Sequence, residues 1–117
     1  MTSLNKSVYD ALINTSLNDV FQASKDLAPI IKKTELIESP YFSKECNNQV
    51  YLKPENLQIT GAFKIRGAFN KINKLTTTEK DRGVIAASAG NHAQGIAYAS
   101  KLLGVNATIV MPATTPI

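Results

Sequence analysis

Apolar and polar positions recur with two different periods along this chain, and those periods sort it into elements. Val20, Ala23, Leu27 and Ile31 fall at helical spacing behind Ser16-Leu17-Asn18-Asp19. That start has the form of a capping box, with Asp where Glu or Gln is usual. The spacing predicts a helix over about 17–28, which Pro29 either breaks or follows with a second turn. Thr34 to Glu38 reads as a short extended piece, and Ser39-Pro40 as a turn. Tyr41 to Cys46 follows as a brief helix ending at Asn47-Asn48. Gln49-Val50-Tyr51-Leu52-Lys53 alternates and is β-branched and aromatic, which predicts a strand closed by Pro54. Ahead of all these, Met1 to Thr15 carries weak signals. Val8, Leu12 and Ile13 line one side of a short stretch there, which is expected to be a flexible lead-in.

The second half repeats these signals more strongly. Thr60 has the chemistry of an N-cap and Gly61 that of a tight turn. A helix is expected from Ala62, ending near Leu75 and packing through Phe63, Gly67, Ala68 and Ile72. Thr76-Thr77-Thr78-Glu79 marks another helix start, stopped by Gly83. Val84-Ile85-Ala86-Ala87 is a compact apolar run of the kind buried on both faces of a parallel sheet. Ser88-Ala89-Gly90-Asn91 is a small-residue turn, His92 to Leu103 a helix, and Gly104 its stop. Asn106 to Met111 is the next strand. Together these form a β-α-β unit, which calls for parallel strands and a right-handed crossover. The expected fold class is therefore α/β, part of an open parallel sheet with flanking helices. Ala113 to Ile117 reads as the opening of a further helix, with Pro116 at its first position. One crossover cannot cover both faces of a parallel sheet, so the chain is expected to be a fragment or to need a partner.

Composition narrows the function classes. An apolar fraction of 44% and a charged fraction of 19% are those of an ordinary globular chain of one domain at most. The net charge of +4 is spread out, and only Lys32-Lys33 are adjacent, so there is no stripe for nucleic acid. No apolar run approaches membrane-spanning length, and no secretory signal opens the chain. Cys46 is the only cysteine, which excludes an intrachain disulfide and a two-cysteine redox motif. With His92 it makes too few ligands for a zinc site. A reducing, cytoplasmic setting is the expectation.

Two stretches carry candidate chemistry. Lys64 lies just inside a helix start, after Phe63 and before Arg66. A helix N-terminus, a nearby cation and apolar flanks all favour the neutral amine of a lysine, the form that attacks an aldehyde. As an arbitrary lysine it would simply be solvated. Ser88 to His92 joins a strand's C-terminal end to a helix N-terminus, where ligands bind in open α/β sheets. Its unpaired N–H groups suit a carboxylate or phosphate, although an ordinary strand–helix turn uses the same residues. Neither nucleotide-loop pattern, G-x-x-x-x-G-K-[ST] nor G-x-G-x-x-G, is present. A poised amine and an anion turn together suggest an aldehyde cofactor with an acidic substrate.

Three ordered motifs then become recognisable: Lys53-Pro54-Glu55-Asn56-Leu57-Gln58, Thr60 to Ala68, and Ser88-Ala89-Gly90-Asn91-His92-Ala93-Gln94-Gly95. They resemble the N-terminal part of pyridoxal-phosphate enzymes of the tryptophan-synthase β fold (fold type II). The likeness is nearest to the threonine dehydratases (threonine ammonia-lyases), with serine dehydratases and serine racemases close by. It spans about Ser16 to Ile117, read as the truncated N-terminal part of one catalytic domain. The resemblance implies that Lys64 holds pyridoxal 5'-phosphate as a Schiff base and then transfers protons. It implies that Asn91 hydrogen-bonds the cofactor's ring hydroxyl and that Phe63 helps wall the pocket. Ser88, Ala89, Gly90 and His92 would cup the substrate carboxylate.

The implied reaction, in the intact parent, is deamination of L-threonine to 2-oxobutanoate and ammonia, with L-serine giving pyruvate. The implied partner is a small amino-acid substrate, the parent a homo-oligomer, and the setting amino-acid metabolism such as isoleucine biosynthesis. A serine racemase, another β-elimination or β-replacement enzyme, and a non-catalytic fragment are the alternatives. Thr34-Glu35-Leu36 departs from the family's usual Thr-Pro-Leu, and Ala62 stands where many members have serine. The family's glycine-rich phosphate cup and the residue facing the pyridine nitrogen are expected further along a longer chain. These residues alone are accordingly expected to show little or no activity.

Overall fold

The computed structural model describes residues 14–115. The expected lead-in at Met1 to Thr15 therefore lies almost wholly outside the described residues, as does the helix opening at Pro116. The first helix, α1, spans Leu17–Leu27, and both halves of its capping box form. The Asp19 N–H donates to the Ser16 hydroxyl at 3.2 Å, and the Asp19 carboxylate accepts from the Ser16 N–H at 2.8 Å. Only Leu27 of this helix is buried, while Leu17, Val20 and Phe21 are exposed.

Next comes a small antiparallel lobe. Strand β1 (Ile37–Glu38) pairs with β2 (Tyr51–Leu52), and helix α2 (Pro40–Cys46) connects them. Ser39 caps α2, and Asn47 closes it in the left-handed conformation, φ 47°. The expected strand over Gln49–Lys53 is trimmed to two residues, because its only ladder partner, β1, is itself two residues long.

A 3-10 turn (Glu55–Leu57) leads to helix α3, Lys64–Asn73. Here the structure corrects the sequence reading. The helix starts at Lys64 rather than Ala62, and Phe63 rather than Thr60 holds the cap position, with no side-chain cap bond. The cause is Gly61. Its φ of +67° turns the chain, and the Thr60 hydroxyl reaches only the Ala62 carbonyl, at 3.5 Å. The packing face also differs from expectation. Ile65, Ala68, Phe69 and Ile72 are buried, whereas Phe63 and Gly67 are exposed. Ile65, Ala68, Phe69 and Ile72 follow one another at spacings of three and one, so they share the inner face.

Helix α4 (Thr77–Arg82) opens with a second capping box, Thr76 with Glu79, and ends at Gly83. Strand β3 (Val84–Ala87), helix α5 (Asn91–Leu103) and strand β4 (Ala107–Val110) complete the predicted β-α-β unit. The strands are parallel, with Val84 beside Ala107 and Ala87 beside Val110. Gly104, φ 65°, stops α5 as expected. The expectation that β3 is buried on both faces does not hold among the described residues, since Ile85 is 77% exposed. Among the described residues the helix Asn91–Leu103 packs on this two-stranded sheet, and the alternating burial of β3 follows the two-residue period of a strand.

The core is the contact between α3 and α5. Ile65, Ala68, Phe69 and Ile72 meet Ala99 and Val105, with Leu27 of α1 closing one side. Ile96, Leu103 and Val84 pack around this cluster. No described helix is long and apolar enough to cross a membrane.

This burial pattern makes a paired prediction. Ile72→Val, at a site 2% exposed, should cost about 0.5–1.5 kcal/mol by the usual cost of a buried methylene. Ile85→Val should stay within about 0.5 kcal/mol, as exposed substitutions do. Urea unfolding followed by circular dichroism compares the two directly.

Candidate active site

The site is built where α3 begins and α5 begins. Gly95 lies in the second turn of α5, and a Cβ placed there would sit 3.1 Å from the Lys64 carbonyl carbon and 3.2 Å from the Ile65 nitrogen. The backbone at Lys64 thus presses directly on a helix surface that has no side chain. Gly95 is four positions after Asn91, so the two share one face of α5, about 6 Å apart along the axis. Lys64 therefore starts its helix on the same face of α5 that carries Asn91 one turn nearer the N-terminus. The structure brings these two predicted site elements together through the backbone.

Each end of this arrangement has its own local cause. Lys64 occupies the first helical position, and its side chain is exposed, as is Phe63. The Lys64 Nζ lies 4.8 Å from the Phe63 ring centroid, within cation–π range. The apolar enclosure expected around the amine is not supplied by the described residues beyond that one ring.

The Ser88–His92 bend leaves the sheet as predicted. The Ser88 N–H donates to the Val110 carbonyl at 3.0 Å and extends the parallel ladder by one bond. The Ser88 hydroxyl then accepts the Gly90 N–H at 3.3 Å. Gly90 holds the cap position of α5 with no side-chain cap bond, and the helix's first bond runs from the Gln94 N–H to the Gly90 carbonyl, 3.3 Å. The N–H groups of Asn91, His92 and Ala93 precede that bond. A Cβ at Gly90 would meet nothing within 4 Å, so the front of the bend is open. Ala89, Gly90, Asn91 and His92 are exposed, and Ser88 is half-buried. Uncapped N–H groups at a helix start, facing open space, are what binds an anionic group.

A third element carries no assigned chemistry in the sequence reading. Glu55 forms a two-pronged ion pair with Arg66, Nε to Oε2 at 2.8 Å and Nη2 to Oε1 at 2.7 Å. The Thr34 hydroxyl donates to the same Oε1 at 2.6 Å, and Lys53 Nζ donates to the Thr34 carbonyl. Arg66 first, then Thr34, hold the Glu55 carboxyl at about 2, well below its ordinary 4.5, against a partial burial that opposes the shift. Gln58, 3% exposed, completes the fastening. Its side-chain oxygen accepts the Lys32 N–H and its amide donates to the Lys32 carbonyl, each at 2.9 Å.

The motif Lys53 to Gln58 thus ties the segment at Lys32–Thr34 to the start of α3. The usable signal for this was an acid and an arginine flanking a glycine turn. Pairing them requires knowing that the turn folds back. The family departure at Glu35 falls on an exposed residue and leaves the buried Thr34 in place.

A family model described as pyridoxal-phosphate dependent enzyme matches residues 27–117. The chain belongs to that family. It is 56% identical over 102 residues to the catabolic L-threonine dehydratase TdcB of Staphylococcus aureus, which covers 86% of this chain and 30% of that protein. Among solved structures, the threonine deaminase of T.th. superposes with a TM-score of 0.72 at 44% identity, over 84% of this chain and 31% of the other. The serine racemase of Dictyostelium discoideum gives a TM-score of 0.81 at 38% identity, over 87% and 33%. The chain spans about 30% of the length of the curated relatives it matches. The expected α/β fold type II class stands, as does the cofactor: these enzymes depend on pyridoxal phosphate.

The described residues fit part of that group. They offer an accessible primary amine with an aromatic ring beside it, and an open, uncapped helix start on the neighbouring element.

Two outcomes test the local geometry. Gly95→Ala should cost about 1–3 kcal/mol, the range for overpacking, because backbone rather than a flexible side-chain tip meets the new methyl group. Its urea midpoint checks this. For Glu55 the folded pKa lies below the unfolded one, so its contribution is complete above pH 4.5 and is lost as pH falls toward about 2. Acid titration of stability should show that loss, about 1.5–3 kcal/mol for a charge-assisted pair, and Glu55→Gln should flatten it.

Proposed function

We propose that this chain is the lysine-bearing portion of a pyridoxal-phosphate-dependent L-threonine ammonia-lyase. The observation that carries the reading is the contact of the Lys64 backbone with Gly95, which sets an accessible amine on the same helix face as an uncapped anion turn. The 56% identity to threonine dehydratases supports threonine as the substrate, with L-serine as the smaller alternative. The catabolic names of those relatives favour threonine breakdown over isoleucine biosynthesis as the setting.

In this reading each residue has a defined task. Lys64 would hold the cofactor at its aldehyde carbon through Nζ, and the same amine would take and return the substrate's α-proton. Asn91 orients the cofactor ring through its side-chain amide. Phe63 shields one side of the amine from water. The backbone N–H groups of Ala89 and His92, with the Ser88 hydroxyl that Gly90 holds in place, would bind the substrate carboxylate and fix the α-carbon beside Lys64. When bound, pyridoxal phosphate delocalises the electron pair left at the α-carbon after its proton departs. The β-hydroxyl leaves as water to give the enamine, which tautomerises to the imine. One water then hydrolyses the imine, releasing ammonia and 2-oxobutanoate, so that no water is lost overall.

A serine racemase is the second reading. Its support is the shape match: TM-scores of 0.79 and 0.81 to the maize and Dictyostelium enzymes. Removal of the α-proton is common to both activities, and they part at the β-hydroxyl.

The test uses the chain with added pyridoxal phosphate. Borohydride should trap the cofactor on Lys64 in preference to the other lysines, as read by peptide mass spectrometry. Lys64→Ala should abolish that adduct with the circular dichroism unchanged. Indiscriminate trapping across the lysines would refute the assignment. The 117 residues alone should turn over L-threonine at a negligible rate. In a version extended to the length of the relatives, chiral analysis of products from L-serine separates the readings: pyruvate for the lyase, D-serine for the racemase.

A further inference from the structure

Helix α3 begins without the devices that usually fix a helix entry. Its cap residue, Phe63, makes no side-chain cap bond. Gly61, two residues earlier, has a positive φ and nothing within 4 Å of where a Cβ would lie. Local sequence therefore leaves the direction of the first turn weakly determined. Gly95 limits how near that turn can come to α5, and buried Ile65 holds its inner face, but neither contact is directional.

Arg66 supplies what is missing. It sits in the first turn of α3, and its own N–H bonds the Phe63 carbonyl at 3.0 Å. Two parallel bonds from a planar guanidinium to one carboxylate define a direction as well as a distance. The carboxylate is itself anchored, because Thr34, 6% exposed, holds Oε1 through its hydroxyl. Gln58 fastens Lys32, two residues before Thr34, to the same turn. Partly buried pairs of this kind often add little stability over an apolar replacement, but apolar contact does not supply their directionality.

We infer that Glu55 and Thr34, acting through Arg66, are positioning residues for Lys64, setting the rotation of the turn from which its side chain leaves the helix. This rests on the proposed role of Lys64 as the cofactor-binding amine. Lysine at position 66 keeps the charge but not the fork, so Arg66→Lys counts as a loss of the hold.

The experiment compares the wild-type chain with Glu55→Gln, Arg66→Lys and Thr34→Val by two readouts. The first is amide hydrogen exchange over residues 59–66, with 91–103 as internal control. The second is the ratio of borohydride-trapped pyridoxal phosphate on Lys64 to that on Lys71, an exposed lysine two turns further along α3. In Glu55→Gln and Arg66→Lys, exchange over 59–66 should rise about tenfold and the trapping ratio fall by a similar factor, as expected for losing one charge-assisted hydrogen bond. The control segment should not change. Thr34→Val, which keeps the ion pair, should show a smaller change of the same sign and guards against a variant that fails to fold.

An unchanged ratio in both charge variants overturns the inference, even if exchange rises, since the pair would then be structural only. If wild-type trapping shows no preference for Lys64, the functional reading fails instead. Exchange over 59–66 then decides the positioning by itself: acceleration retains the hold on the helix start, and no acceleration overturns it.

Discussion

Two helices can bring their backbones together only where side chains are missing, and here that place is Gly95. The Lys64 carbonyl carbon lies 3.1 Å from where a Cβ would stand, so the start of one helix rests on the second turn of another. The α3–α5 core follows from this approach. Ile65, Ala68, Phe69 and Ile72 gather with Ala99 in one buried cluster along this approach. The candidate site follows from it too, since the start of α3, which carries Lys64, then lies about one turn from the uncapped start of α5.

The apolar and polar contacts divide the labour. The core holds the helices together but tolerates small rotations, because dispersion and burial have little direction. The ties among Thr34, Glu55, Gln58 and Arg66 are directional and join segments far apart in the chain. They bring no large apolar burial. They constrain where a helix begins.

Most of the architecture was legible in the sequence because its signals are local. Ser16 with Asp19, Thr76 with Glu79, and Gly104 each mark an end that the structure confirms, whereas Ser39-Pro40, read as a turn, is the cap and first residue of its helix. The β-α-β order followed from apolar runs and a helical stripe. What failed was what depends on distant partners. Thr60 looked like a cap, but the positive φ at Gly61 aims its side chain elsewhere. Phe63 looked like a packing residue, yet a helix start displaced by two residues leaves it outside. The pairing of Glu55 with Arg66 crosses a turn whose path no local pattern announces. Ile85 read as buried on hydropathy alone, which cannot tell whether a second layer is present. Lys64 and the Ser88–His92 bend were singled out by their place at helix starts, while the contact between those starts needed Gly95, quoted in the motif without a role.

The exposed β3 and β4 have a consequence for how this chain behaves in solution. Among the described residues each strand has a neighbour on one side only, and Ile85 and Val110 stand on uncovered surface. A short apolar edge with free backbone donors and acceptors is a template on which any extended segment can lay a further strand. Crowding such chains together favours self-association in proportion to their concentration, and charged residues at the edge would discourage it. The same stickiness that makes a lone copy prone to clump is what lets a growing sheet recruit its next strand during folding.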